Sequence, residues 1–209
     1  RMRGGKIRPR VAAAKAITSA ISIGSGGSVG REGPIVQIGS TLGSAVAQLV
    51  GMGSQEMRIL VAAGAAGAIG ATFNAPIAGV IFALEVILGS FAARSFGLVV
   101  VSAVTATAVA QTFLGTEPAF RLVEEFSLVS SWELALYPVL GVVTGLIALL
   151  YVHAVYGVED WFDRWQAPAW TKALAGGLLV GVLGTFGSAH LFGVGHEGVE
   201  PVSYTHLRA

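Results

Sequence analysis

The sequence predicts an all-α protein that crosses a membrane several times. Of its 209 residues, 54% are hydrophobic and only 12% are charged, whereas soluble domains contain about 25% charged residues. The mean hydropathy is +0.72. Long uncharged runs alternate with short polar breaks, and the 29 glycines would allow helices to pack closely or to be interrupted. Together these observations favour a polytopic helical membrane protein.

The uncharged runs and the breaks between them set the predicted helices. Pro34 and Pro76 are each expected in a first helical turn, because proline has the φ of a helix and lacks an N–H group that would have no partner there. The Asn74 side chain is expected to cap the helix that begins at Pro76. The predicted helices are residues 11–23, 34–50, 57–72, 76–90, 95–112, 134–156 and 171–186. The first of these is too short to cross a ~30 Å hydrocarbon core alone.

Glycines and charges indicate which segments contact other helices and which face water. Gly64, Gly67 and Gly70 recur at i, i+3 spacing, which predicts the close approach of another helix. The basic segment 1–10 is expected on the cytoplasmic side, and the acidic segment 117–133 in a solvated loop. Segment 159–170 contains three tryptophans and predicts an interfacial aromatic belt or, alternatively, an amphipathic helix on the membrane surface.

The central motif is residues 24–40, GSGGSVGREGPIVQIGS. A helix that starts at Pro34 carries about half a positive charge at its N-terminus. The preceding glycines would let backbone N–H groups converge there, so Gly30, Arg31 and Gly33 are predicted to bind an anion through their amides. Glu32 lies at the same place. Its carboxylate could block the site when ionised and leave it when protonated, as a gate does.

Other readings of these residues are weaker. Glu32 could have no role beyond stabilising the helix dipole, but an ionisable residue in a membrane segment is a functional candidate by default.

Other classes of function have little support in the sequence. The net charge of +1 gives no support for a nucleic-acid partner, and the chain has no cysteine. A nucleotide-binding phosphate loop requires a Lys-Ser/Thr pair after its glycine run, and no such pair follows here. His190, His196 and Glu197 lack a metal-ligand spacing. No metal, cofactor or enzymatic activity is therefore expected.

Two motifs give the chain a family resemblance. The first is GREGP at residues 30–34, followed by IVQIGS, and the second is GATFNAPIAGVIFALE at residues 70–85. Together they resemble the CLC family of chloride channels and chloride/proton antiporters, over residues 6–201. The resemblance implies an inverted-repeat helical fold with broken and tilted helices. It also implies that Glu32 is the gate and that the amides around it line the outer ion site.

The pair Glu85–Val86 bears on the type of transport. By the resemblance, antiporters of the family that use an internal proton glutamate carry it at the position of Val86, where channels commonly have valine. Glu85 would then be a structural acid. The resemblance thus implies a voltage-gated-type chloride channel gated by Glu32. The alternatives are a chloride/proton antiporter of the same family that uses another inner proton route, and, from another class, an unrelated inverted-repeat secondary transporter or a non-conducting membrane scaffold.

The resemblance also carries expectations about the whole protein. Chloride or another small anion would be the substrate, the bacterial inner membrane the location, and a homodimer the assembly, with residues 76–112 as the contact. Residues 1–202 would form part of one transmembrane domain, the end of its first half and the start of its second. The segments that supply the central chloride site would lie outside this sequence, so the chain alone is not expected to conduct. Residues 203–209 are predicted to be a non-native or truncated tail.

Overall fold

The computed structural model describes residues 4–116, 130 and 132–195. Every regular element within these residues is a helix, which confirms the predicted all-α class. The α-helices are α1 (Arg10–Gly24), α2 (Glu32–Leu49), α3 (Ser54–Phe73), α4 (Pro76–Phe82), α5 (Ala93–Leu114), α6 (Glu133–Arg164) and α7 (Ala169–Phe186). A π-helix (Ala83–Leu88) continues α4, and a 3₁₀-helix (Ala189–Leu191) follows α7.

The chain divides into two compact units. The first contains α1 to α5 with the described residues 188–195, and the second contains α6 and α7. Among the described helices, α3, α5, α6 and α7 are each long and apolar enough to cross a membrane. In the first unit α3 packs against α2, α4 and α5, and its buried face consists mainly of alanines and glycines.

Glycines let the helices of the first unit touch through their backbones. A Cβ on Gly64 of α3 would collide with the Gly39 carbonyl oxygen of α2, and a Cβ on Gly39 would collide with the Gly64 carbonyl oxygen. Gly67 and Gly70 face α5, where a Cβ on Gly70 would stand 2.7 Å from Oγ1 of Thr107. The predicted close helix contact at Gly64, Gly67 and Gly70 is confirmed, with the correction that these glycines serve two neighbouring helices.

Replacing Gly64 with valine is expected to destabilise the protein, because a side chain there has to push α2 and α3 apart. Overpacking of this kind typically costs about 1–3 kcal/mol. Gly97→Val in α5 is the matched control, since nothing in the described structure lies within 4 Å of a Cβ at Gly97. The Tm of the detergent-solubilised protein should fall clearly for Gly64→Val and little for Gly97→Val. Equal Tm values for the two variants would contradict the backbone contact.

The largest difference from the predicted helices is at the end of α6. This helix extends to Arg164, eight residues beyond the predicted end at residue 156. Segment 157–164 contains no proline and only one glycine, so its charges alone do not stop the helix. The break comes after Trp165, where Pro168 precedes α7. The predicted aromatic segment 159–170 is therefore not a separate element. Its first six residues are the last turns of α6.

Asn74 also differs from its predicted role. It has a left-handed backbone (φ 53°) and ends α3, and the start of α4 has no side-chain cap. The Asn74 side chain instead donates to the Thr116 carbonyl oxygen (2.6 Å) and accepts a hydrogen bond from Gln111 (2.7 Å). Asn74 thus joins the end of α3 to the end of α5.

Several predicted features lie outside the described residues. They are most of the acidic segment 117–133, the residues His196 and Glu197, and the tail at 203–209.

Candidate anion site at the start of α2

The loop before α2 is held from two directions. The Gly27 N–H donates to the Ser22 carbonyl oxygen of α1 (2.9 Å), and the Val29 N–H donates to the Gly193 carbonyl oxygen (3.2 Å). Gly26 has a positive φ of 87° and packs against Phe192. The segment after α7 therefore supports the glycine loop. No local signal in the sequence indicates this contact, because the two segments are far apart along the chain.

Four consecutive backbone donors stand at the start of α2. Within the described structure, the N–H groups of Gly30, Arg31, Glu32 and Gly33 donate no hydrogen bond. The first helical bond runs from Ile35 N–H to the Arg31 carbonyl oxygen (3.1 Å). Helix starts leave such donors unpaired, and the helix dipole adds partial positive charge there. Unpaired amides at a helix N-terminus are a general means of binding an anion.

Glu32 is the first residue of α2, two residues before the predicted start of the helix at Pro34. Its carboxylate folds back against Gly30, because a Cβ built on Gly30 would collide with Oε2 of Glu32. Only glycine at position 30 leaves this space open. The carboxylate thus lies beside the positive end of its own helix, where it can take the place of a bound anion.

Gly30→Ala in the full-length protein is expected to displace the Glu32 carboxylate from this position. If that carboxylate obstructs anions, chloride efflux from liposomes at neutral pH should rise. Gly33→Ala is the matched control, since a Cβ at Gly33 meets nothing within 4 Å in the described structure. Equal efflux for the two variants would argue against the folded-back carboxylate as the obstruction.

The Arg31 side chain packs against the end of α3. Its guanidinium carbon lies 5.7 Å from the centroid of the Phe73 ring, in a cation–π contact with the end of α3. Its Nε is buried without a hydrogen-bond partner in the described part of the chain. The Arg31 side chain therefore joins the loop to α3, while its backbone N–H donates no hydrogen bond within the described structure. No local sequence signal indicates the contact with Phe73, because the two residues are far apart along the chain.

A cavity of about 500 Å³ opens beside Glu32. It extends along one face of α2, past Gln37 and Ser40, and reaches Ile7. Its other walls are apolar side chains of α3, α4 and the π-helix, among them Phe73. Glu32 is the one ionisable side chain among the described residues that line it. The side-chain amide of Gln37 and the hydroxyl of Ser40 thus line the cavity on the side of α2.

Glu85 and Val86 are not part of this cavity. Both lie in the π-helix, and both are exposed in the first unit, Val86 with 62% of its surface accessible. The next residue, Ile87, does line the cavity. The described structure therefore does not bring Glu85 together with Glu32.

Comparisons with known proteins agree with these features. A family model described as "Voltage gated chloride channel" matches residues 1–207. The H(+)/Cl(-) exchange transporter ClcA of Yersinia pestis is 34% identical over 190 residues, which cover 89% of this chain and 40% of that protein. Chloride channel protein CLC-e of Arabidopsis thaliana is 33% identical over 181 residues, or 81% of this chain and 25% of that protein.

A solved structure is similar as well. The crystal structure of a slow cyanobacterial Cl−/H+ antiporter superposes with a TM-score of 0.74 at 27% sequence identity, covering 86% of this chain and 42% of that one. The chain thus spans less than half the length of each of these three relatives.

Proposed function

Because the chain belongs to the CLC, or voltage-gated chloride channel, family, we propose that the full-length protein carries chloride or a related small anion across a membrane, with Glu32 as the gate. The proposal rests on one observation. The Glu32 carboxylate is folded back against Gly30 at a helix start whose N–H groups have no partner in the described structure.

The proposed gate works by competition between two anions. The ionised carboxylate and a diffusing chloride both favour the positive end of α2. Their attraction to it is stronger in a membrane protein than in water, because the surrounding dielectric constant is lower. Chloride must displace the carboxylate, or the carboxylate must be protonated and lose its attraction. Gly30, Arg31 and Gly33 would hold the anion through their N–H groups.

The proposed mode of transport is exchange of chloride for protons. It is supported by the similarity to a named exchange transporter at 34% identity and to a solved antiporter at 27%. These relatives favour exchange over the channel expected from the sequence. A passive channel is the second candidate, favoured by Val86, whose side chain cannot bind a proton. In that case protons would have no relay at this position.

The test is proton movement driven by a chloride gradient. Liposomes containing the full-length protein are given an outward chloride gradient, and the external pH is recorded. An exchanger takes up protons into the liposomes as chloride leaves, even against a pH gradient. A channel passes chloride without coupled protons, and a non-conducting scaffold passes neither.

The proposed assembly is a homodimer in the inner membrane of a bacterium. The exposed apolar side chains on α4 and α5 supply a contact surface within the predicted residues 76–112. They include Ile77, Ile81, Phe96, Leu98, Val101 and Val104. A surface of this kind is suited to lipid or to a second copy of the protein.

A further inference from the structure

A second cavity lies in the first unit, where α3 and α5 begin. Its volume is about 220 Å³. The polar side chains that line it include Gln55, Arg58, Ser90 and Arg94, and the apolar ones include Ile59 and Leu88. Neither the Glu32 site nor the cavity beside it uses any of these residues. The cavity therefore combines two cations with an apolar wall.

The charge at this cavity is positive. Arg94 contacts Glu56 at 3.3 Å, with the Arg94 side chain 72% and the Glu56 side chain 43% exposed, so solvent screens the pair and it is weak. The Arg58 side chain has no hydrogen bond or ion pair within the described structure. The N-terminal segment brings further positive charge, because Gly5 packs on Arg58 and is followed by Lys6 and Arg8.

The position of the cavity relative to a membrane follows from the two helices that begin there. Both α3 and α5 are candidate membrane spans, so their first residues lie near the level of the lipid headgroups. The excess of arginine and lysine places this end on the cytoplasmic side by the positive-inside rule. That leaflet is the one whose anionic lipids attract basic segments.

We propose that this cavity binds the phosphate headgroup of an anionic phospholipid, with Arg58 as its principal contact. A guanidinium group can donate two parallel hydrogen bonds to phosphate oxygens, and Arg58 has no other partner in the described structure. Ser90 and Gln55 offer further donors. Ile59 and Leu88 provide an apolar wall for the first methylene groups of an acyl chain. The inference does not depend on the proposed transport activity.

The experiment compares lipid binding by variants of the full-length protein. The purified protein is incubated with phosphatidylglycerol or phosphatidylcholine of matched acyl chains, and bound lipid is counted by native mass spectrometry. Arg58→Gln is expected to weaken phosphatidylglycerol binding about five-fold, as expected for one basic residue near an anionic surface. Phosphatidylcholine binding should not change. Arg58→Lys should bind phosphatidylglycerol with an affinity between those of the wild type and Arg58→Gln, because the positive charge stays but the two parallel hydrogen bonds are lost.

Arg8→Gln is the matched control, because it removes an arginine from the same basic end but outside the cavity. It should change phosphatidylglycerol binding much less than Arg58→Gln does. Equal binding by wild type and Arg58→Gln, or an equal loss in Arg8→Gln, would overturn the proposal. Binding of millimolar inorganic phosphate that depends on Arg58, together with phosphatidylglycerol binding that does not, would overturn the lipid as occupant and assign the cavity to free phosphate.

Discussion

Replacing Glu32 with glutamine in the full-length protein is expected to raise chloride efflux at neutral pH and to remove most of its pH dependence. The two side chains have nearly the same shape, but the amide carries no charge and competes poorly for the positive end of α2. Glu32 is exposed in the described structure, and a charge at an exposed helix end is worth about 0.3–1 kcal/mol. An increase in efflux of up to about five-fold, which corresponds to ~1 kcal/mol, is therefore expected.

The sign of the pH effect follows from the same competition. Acid protonates the Glu32 carboxylate and removes its charge, so chloride efflux by the wild type should increase as the pH falls. At sufficiently low pH the wild type should approach the Glu32→Gln variant. The variant itself has no carboxylate to titrate at this position, so its efflux should be almost the same at acid and neutral pH.

Chloride efflux from liposomes, measured across acid to neutral pH, is the test. Glu85→Gln is the matched control, because it makes the same chemical change in an acid that does not line the cavity beside Glu32. Glu85→Gln should keep the pH dependence of the wild type. If Glu32→Gln keeps that pH dependence instead, Glu32 is not the gate.

Local signals in the sequence predicted most of the helices of the first unit. The helix predicted at residues 11–23 is Arg10–Gly24 in the structure, and the helix predicted at residues 95–112 is Ala93–Leu114. Here a mainly apolar run with at most one charge, Lys15 in the first of them, is bounded by polar residues or glycine and determines where the helix forms. The same reasoning failed at Asn74. A short polar side chain before a proline suits a helix cap, but the competing hydrogen bonds to Gln111 and Thr116 depend on tertiary packing.

At the candidate site, too, local sequence signals predicted local features but not tertiary contacts. The motif at residues 30–34 indicated the unpaired amides and Glu32, because backbone N–H groups at a helix start bind anions. Three features could not be predicted in this way: the Glu32 carboxylate folded back against Gly30, the Arg31 contact with Phe73, and the support from Gly193. The first depends on a rotamer, and the other two join residues that are distant in the sequence.

Proton coupling is the second large effect. In the full-length wild type, chloride leaving the liposomes is expected to drive protons inwards against a pH gradient. Glu32→Gln should abolish this proton movement while chloride continues to flow, because the carboxylate is the one ionisable group among the described residues lining the cavity. In this variant, a proton that reaches position 32 finds no carboxylate to bind.

The Val86→Glu variant tests the inner end of the proton route. The Val86 side chain is 62% exposed in the π-helix, so a carboxylate there should be tolerated in the first unit without repacking. A titratable group at this position would add a relay where valine has none, and it should increase the number of protons moved per chloride. Val86→Ala is the matched control, because it shortens the side chain without adding a carboxyl group. It should leave the coupling unchanged.

These measurements separate the two candidate functions. Uphill proton uptake by the wild type supports exchange and implies that the inner relay is a group other than residue 86. Chloride efflux without proton uptake by the wild type would reject exchange and favour the passive channel. If Val86→Glu alone then gained proton uptake, the absence of a carboxylate at this one position would explain why the channel is uncoupled. If neither protein moved protons while both passed chloride, the route would be interrupted elsewhere as well.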